Sequence, residues 1–186
     1  MSTFKALPLV ALLALGATGA AFAADAKNGL GAPVGLGEKI TETDVKAWDI
    51  TILPDGTNLP PGSGTAAVGA KLFSEKGCNQ CHGDGALGGR NGALISDQPL
   101  KGGGIEANKT VKNFWAYSTT LYDYIRRAMP WPAPRTLSNE EVYSLVAFIL
   151  AGNKIIDEKT VMDAKSLPQV KMPNRDNFII KFPDKI

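Results

Sequence analysis

Five consecutive residues constrain this chain more than any other feature. Cys78-Asn79-Gln80-Cys81-His82 holds both cysteines and the one histidine of the 186-residue sequence. Two thiols three positions apart, followed at once by an imidazole, form the attachment pattern of c-type haem: the thiols add across the two haem vinyl groups, and the imidazole is set beneath the porphyrin to coordinate iron. Two other chemistries use paired cysteines. Zinc takes four N, S or O ligands in a tetrahedron, and outside the pentapeptide there is no further cysteine or histidine to complete one, so a carboxylate would have to help. A redox dithiol belongs at a strand-to-helix turn of a βαβ unit, whereas the flanks here read as a Gly-rich loop and a helix. Cys78 and Cys81 are therefore assigned to one covalent haem c, and His82 to its iron.

The first residues indicate where such chemistry takes place. Met1 to Lys5 give a short basic start, Ala6 to Leu15 an apolar run, and Ala21-Phe22-Ala23 a small-x-small cleavage site. The apolar run is well short of the roughly 20 residues that span a bilayer, so residues 1–23 read as a cleaved export signal rather than an anchor. The expected location is the periplasm, the side on which c-type haem is attached. With Lys5 gone, 19 basic residues face 18 acidic ones, and no basic stripe suggests nucleic acid.

Composition then divides the mature chain. Residues 24–64 are rich in Gly and Pro, with turn signals at Pro54-Asp55-Gly56 and Pro60-Pro61-Gly62, and read as an extended N-terminal arm carrying one short helix around Thr43 to Trp48. Residues 65–157 hold the helical patterns and the haem motif. Residues 158–186 return to irregular sequence as a C-terminal tail. The length suits one domain.

Three helices are predicted in the middle part, making the fold class all-α. Thr65 to Lys76 runs into the haem motif with Gly77 as its stop; Gly69, Leu72 and Phe73 share a face, and Gly69 permits close approach. Thr120 to Ala128 has Leu121, Tyr124 and Ile125 on its apolar side and ends before Met129-Pro130, since proline disfavours helix in the residue before it. Ser138 and Glu141 form an S-x-x-E capping box opening Asn139 to Ala151, with Gly152 as the expected stop and Val142, Leu145, Val146 and Ile149 as the buried stripe. Tyr143 and Phe148 read either as plain core aromatics or as parts of a helix crossing.

The sixth iron ligand sets the kind of site. A second histidine and a third cysteine are both missing, so methionine remains, with Met129, Met162 and Met172 as candidates once Met1 leaves with the signal. Met129 sits in a rigid loop, Met129-Pro130-Trp131-Pro132, and is the expected axial partner of His82. An open or water-ligated iron is the alternative.

At this point the residues resemble a family. The Gly-aromatic helix entering C-x-x-C-H, the methionine loop and the Leu145-Val146-Ala147-Phe148 helix look like a class I cytochrome c. More narrowly, Trp48-Asp49-Ile50, Asp55-Gly56 with Leu59-Pro60-Pro61-Gly62-Ser63-Gly64, Thr120 to Pro130, Glu141-Val142-Tyr143 and Lys171-Met172-Pro173-Asn174-Arg175-Asp176 resemble the cytochrome c subunits of bacterial sulfite and sulfane (Sox-type sulfur) dehydrogenases. That resemblance covers nearly the whole mature chain and implies an electron-accepting subunit, or partner, of a molybdenum-cofactor enzyme that oxidises the sulfur compound. It also implies a downstream electron acceptor and no catalytic residue in this chain. The longer sulfane dehydrogenase cytochromes carry a second haem domain, and this chain has a single C-x-x-C-H. Two other functions compete: a diffusible electron shuttle to a terminal oxidase, and a haem sensor or enzyme with an open iron. Trp131 is expected either to anchor a partner or to pack over the haem.

Overall fold

Glycine decides how the two principal helices meet. In the computed structural model, which describes residues 37–100 and 107–179, helix α2 (Ala66–Glu75) crosses helix α6 (Asn139–Gly152) so closely that a Cβ at Gly69 would lie 1.9 Å from the carbonyl oxygen of Ser144. Phe73 and Phe148 stack obliquely beside that crossing, their ring centroids 5.3 Å apart. Phe148 thus takes part in the helix crossing, while Tyr143 is a buried core aromatic whose hydroxyl donates to the Pro60 carbonyl at 2.9 Å.

The chain divides into two units, residues 1–42 and 43–186. In the first, only 37–42 are described, and they are exposed. The expected leader, the start of the arm and the last seven residues lie outside the described segments. Among the described residues the elements in chain order are α1 (Glu42–Trp48), β1 (Ser63–Thr65), α2, α3 (Asn79–His82), α4 (Val111–Phe114), α5 (Ser118–Ala128), α6 and β2 (Val161–Asp163), with three short 3-10 turns. The short helix expected in the arm is present as α1, and none of its residues is buried.

Local chemistry accounts for the helix ends. Thr65 caps α2 by accepting from the Val68 N–H, and Gly77, at φ +72°, turns the chain out of it. The box at the start of α6 forms in both directions: Ser138 Oγ accepts from the Glu141 N–H, and Glu141 accepts from the Ser138 N–H at 2.8 Å. Gly152 is a correction. It stays helical, and the left-handed residue after the helix is Lys154 (φ +57°). A Cβ at 152 would meet Ile95 Cδ1 at 2.2 Å, so a larger residue there would have to displace the Ile95 side chain. Buried Asn153 fixes the same junction, accepting from the Ser96 N–H and donating to the Leu94 and Ile149 carbonyls.

Helix α5 starts two residues earlier than predicted, and its core face differs. Leu121, Tyr122 and Ile125 are buried whereas Tyr124 is half exposed and leans edge-on against Trp115. Tyr122 packs on Tyr143, ring centroids 4.5 Å apart, and its hydroxyl is buried without a partner among the described residues.

The small antiparallel pair of β1 with β2, in register Ser63 with Asp163 and Thr65 with Val161, has no counterpart in the sequence reading. It joins the end of the arm to the tail. Both segments cover the helices. Ile52 is buried, and its N–H donates to Asp123 Oδ1 at 3.3 Å. In the tail Met162, Leu167 and Met172 are at most 1% exposed, Ser118 Oγ donates to the Leu167 carbonyl at 2.7 Å, and Asn174 Nδ2 donates to the Phe114 carbonyl.

Candidate functional site

The haem motif forms one tight turn at the end of α2. Gly77 reverses the chain, the Cys78 N–H donates back to the Phe73 carbonyl at 3.0 Å, and α3 begins. Cys78, Cys81 and His82 are all half-buried along that turn, so each remains accessible from one side. Burial pushes the Cys78 thiol above its ordinary value, and neighbouring Cys81 adds in the same direction.

The following loop is built to hold α3. A Cβ at Gly83 would lie 1.9 Å from the Gly88 carbonyl oxygen, and Gly83 itself adopts φ +76°, so this reversal excludes any other residue. The Gly88 N–H donates to the His82 carbonyl, and the Asn91 N–H to the Cys81 carbonyl, both at 3.0 Å. Ten residues beyond His82, the Gly92 carbonyl lies 3.3 Å from His82 Nδ1. An imidazole that donates from Nδ1 to a carbonyl keeps its proton there and leaves the Nε2 lone pair for a metal. The motif alone could not reveal this support, because it comes from a loop with no distinctive spacing.

The donor set therefore fits haem c: two accessible thiols at the attachment spacing and one imidazole held in the ligating tautomer. It does not suit a closed zinc site, since no group of three or more His, Cys, Asp or Glu side chains among the described residues could hold a metal ion.

The three methionines occupy different environments. Met129 follows the last turn of α5, its N–H bonded to the Ile125 carbonyl; it packs against the core but stays half-buried. Met162 and Met172 are each 1% exposed, enclosed by protein on every side. Cys78 and Met129 border the same core. Trp131, two residues past Met129, is 80% exposed.

Comparison with known proteins agrees with this arrangement. The cytochrome c family profile matches residues 66–153, which run from the start of α2 to the end of α6. A chain of the sulfane dehydrogenase SoxCD from Paracoccus pantotrophus superposes with a TM-score of 0.69 at 35% identity, covering 82% of this chain and 73% of its own. That share exceeds the span of the family profile, so the likeness includes part of the arm or tail. No curated protein sequence matches. With a Cys-x-x-Cys spacing consistent with one covalent haem c, a largely helical fold and this structural relative, the chain belongs to the cytochrome c family.

Proposed function

We propose that this protein is a periplasmic mono-haem cytochrome that accepts single electrons from a molybdenum-cofactor sulfite or sulfane dehydrogenase and passes them to a downstream acceptor. The observation that carries the reading is the His82 Nδ1 contact with the Gly92 carbonyl, which prepares Nε2 as an iron ligand beside two thiols at the attachment spacing. Cys78 and Cys81 would hold the haem covalently, with His82 and Met129 as axial ligands. Bound haem supplies a one-electron Fe(III)/Fe(II) couple whose potential methionine ligation raises. The Gly83–Gly92 loop fixes the imidazole, and the end of α5 fixes the Met129 backbone, so the ligands need not rearrange between oxidation states. The burial of Met162 and Met172 favours Met129, which of the three keeps an exposed side from which it could reach a bound haem.

With His82 and Met129 both coordinating, a bound haem iron would offer no position to a substrate. Sulfite oxidation is a two-electron oxygen transfer, so it is assigned to the partner's molybdenum centre. The partner itself is inferred from the resemblance of arm, loop and tail, and from the SoxCD relative. A diffusible shuttle is the second reading. It is favoured by the way arm and tail bond to this chain's own core, as in Tyr143 with Pro60 and Ser118 with Leu167, because that gives both segments a role without a partner. Stopped-flow spectroscopy separates the two. Rapid haem reduction by sulfite or a related sulfur compound is expected only when the molybdenum enzyme is present; equal rates with and without it would reject the dehydrogenase role and leave the shuttle.

A further inference from the structure

Trp48 and Trp131 are each 80% exposed, and the chain beside each leads to the same cleft. Ile50, two residues past Trp48, lines a cavity of about 160 Å³ together with Arg126, Leu137, Asn139 and Arg135, the last from the loop that Trp131 opens. Neither Arg126 nor Arg135 forms an ion pair among the described residues, whereas adjacent Arg127 is held by Asp123 at 2.9 Å. Of the acids near the cleft, Glu141 is paired with Lys76, while Glu140, which accepts from the Ser138 hydroxyl, and Asp49, beside Ile50, form an ion pair with neither arginine among the described residues. Two guanidinium groups on one small cleft repel each other, and a carboxylate relieves this with the paired oxygens that guanidinium forks bind best.

The surroundings of the cleft are those of an interface. Helix α1 buries none of its residues, with Val45 48% exposed as well as Trp48, and a seven-residue helix has little stability alone in water. Tryptophan and arginine are the side chains that most often dominate binding energy, usually around an apolar centre such as Ile50 and Leu137 provide. We propose that the catalytic subunit of the dehydrogenase docks on this face, seating an Asp or Glu carboxylate between Arg126 and Arg135 and apolar side chains against Trp48 and Trp131. The inference rests on the function proposed above and locates its interface.

The test measures affinity between the full-length haem-loaded cytochrome and the purified molybdenum-containing subunit. Arg126→Gln combined with Arg135→Gln is expected to weaken binding by about tenfold or more with haem spectrum and midpoint potential unchanged, and Trp48→Ala is expected to weaken it as well. Should the double variant fail to fold, Arg135→Gln alone, in an exposed loop, gives the same reading. Wild-type binding that the variants leave intact overturns the docking site but not the dehydrogenase role. Absence of wild-type binding overturns both. A shifted potential or lost haem in the double variant would assign the arginines to haem carboxylates, and wild-type self-association abolished by the variants would assign the face to a second copy of this chain; either result overturns the proposal.

Discussion

Three methionines of identical chemistry separate by exposure alone. Met129 stays half-buried at the margin of the core, while Met162 and Met172 are sealed inside it. Met129→Ala is therefore expected to remove the weak near-infrared sulfur-to-iron band of the ferric protein and to lower its midpoint potential, with only modest loss of stability. Met172→Ala is expected to do the reverse: keep the band but cost about 2–5 kcal/mol, the usual range for emptying a buried methionine site. Ferric spectra and urea unfolding of the two variants check both expectations. Loss of the band in Met172→Ala instead would place the tail over the haem. The sequence narrowed the ligand to these three residues, and the flanking prolines favoured Met129. Burial, which periodicity does not report for irregular segments, distinguishes the other two.

At the scale of elements, the α2–α6 crossing combines a steric and an electrostatic device. Alanine normally stabilises a helix interior over glycine by roughly 0.5–1 kcal/mol. At Gly69 the sign should invert, because a Cβ 1.9 Å from a backbone oxygen forces the helices apart. Gly69→Ala is expected to destabilise by about 1–3 kcal/mol, the range for overpacked cores, and thermal unfolding shows the sign directly. Electrostatics joins the same helices at their other contact, where Lys76 Nζ, just past α2, lies 2.7 Å from Glu141 in the first turn of α6. Lys76, and then the Ser138 N–H, hold the Glu141 carboxyl below its ordinary value. A depressed carboxyl contributes stability above its unfolded pKa and loses it as pH falls through the folded value. Glu141→Gln is thus expected to be less stable than wild type at pH 7, by about 0.5 kcal/mol for a partly exposed pair, with the gap closing as acid protonates the carboxyl. A gap that persisted in acid would show that packing, not charge, makes the contribution.

For the whole molecule, the end of the arm, from Ile50 to Gly64, and the described part of the tail pack on the helices that carry the site. Met162, Leu167 and Met172 each bury a large side chain, worth about 1.5–3 kcal/mol apiece, against a total stability of about 5–15 kcal/mol for a domain. A chain ending at Asp157 also loses β2 and the Ser118 bond to Leu167. It is expected to unfold at a much lower temperature than the full chain, or not to fold at all, as scanning calorimetry would show. Unchanged melting would mean that the tail only lies on the surface. Exposed Trp131 and the unburied α1 remain outside this packing, and the proposed docking face is made from them.

The sequence by itself determined the haem-attachment spacing and the identity of the main helices. C-x-x-C-H needs no tertiary information because all its reactive atoms lie within five residues, and the S-x-x-E box and apolar stripe of α6 are likewise local patterns. Close approach at Gly69 was legible because glycine amid a helical apolar face has few other uses. Tertiary structure alone decided which residues act across long separations: the Gly92 carbonyl that orients His82, the Ile95 side chain packed against Gly152, the burial of Tyr122 in place of Tyr124, and the β1–β2 pair uniting arm and tail. Each depends on a backbone carbonyl, a shape or a short extended segment, and none of these has a residue-type signature. Periodicity shows that a helix has a buried side, but the position of that side is set by the neighbours it packs against.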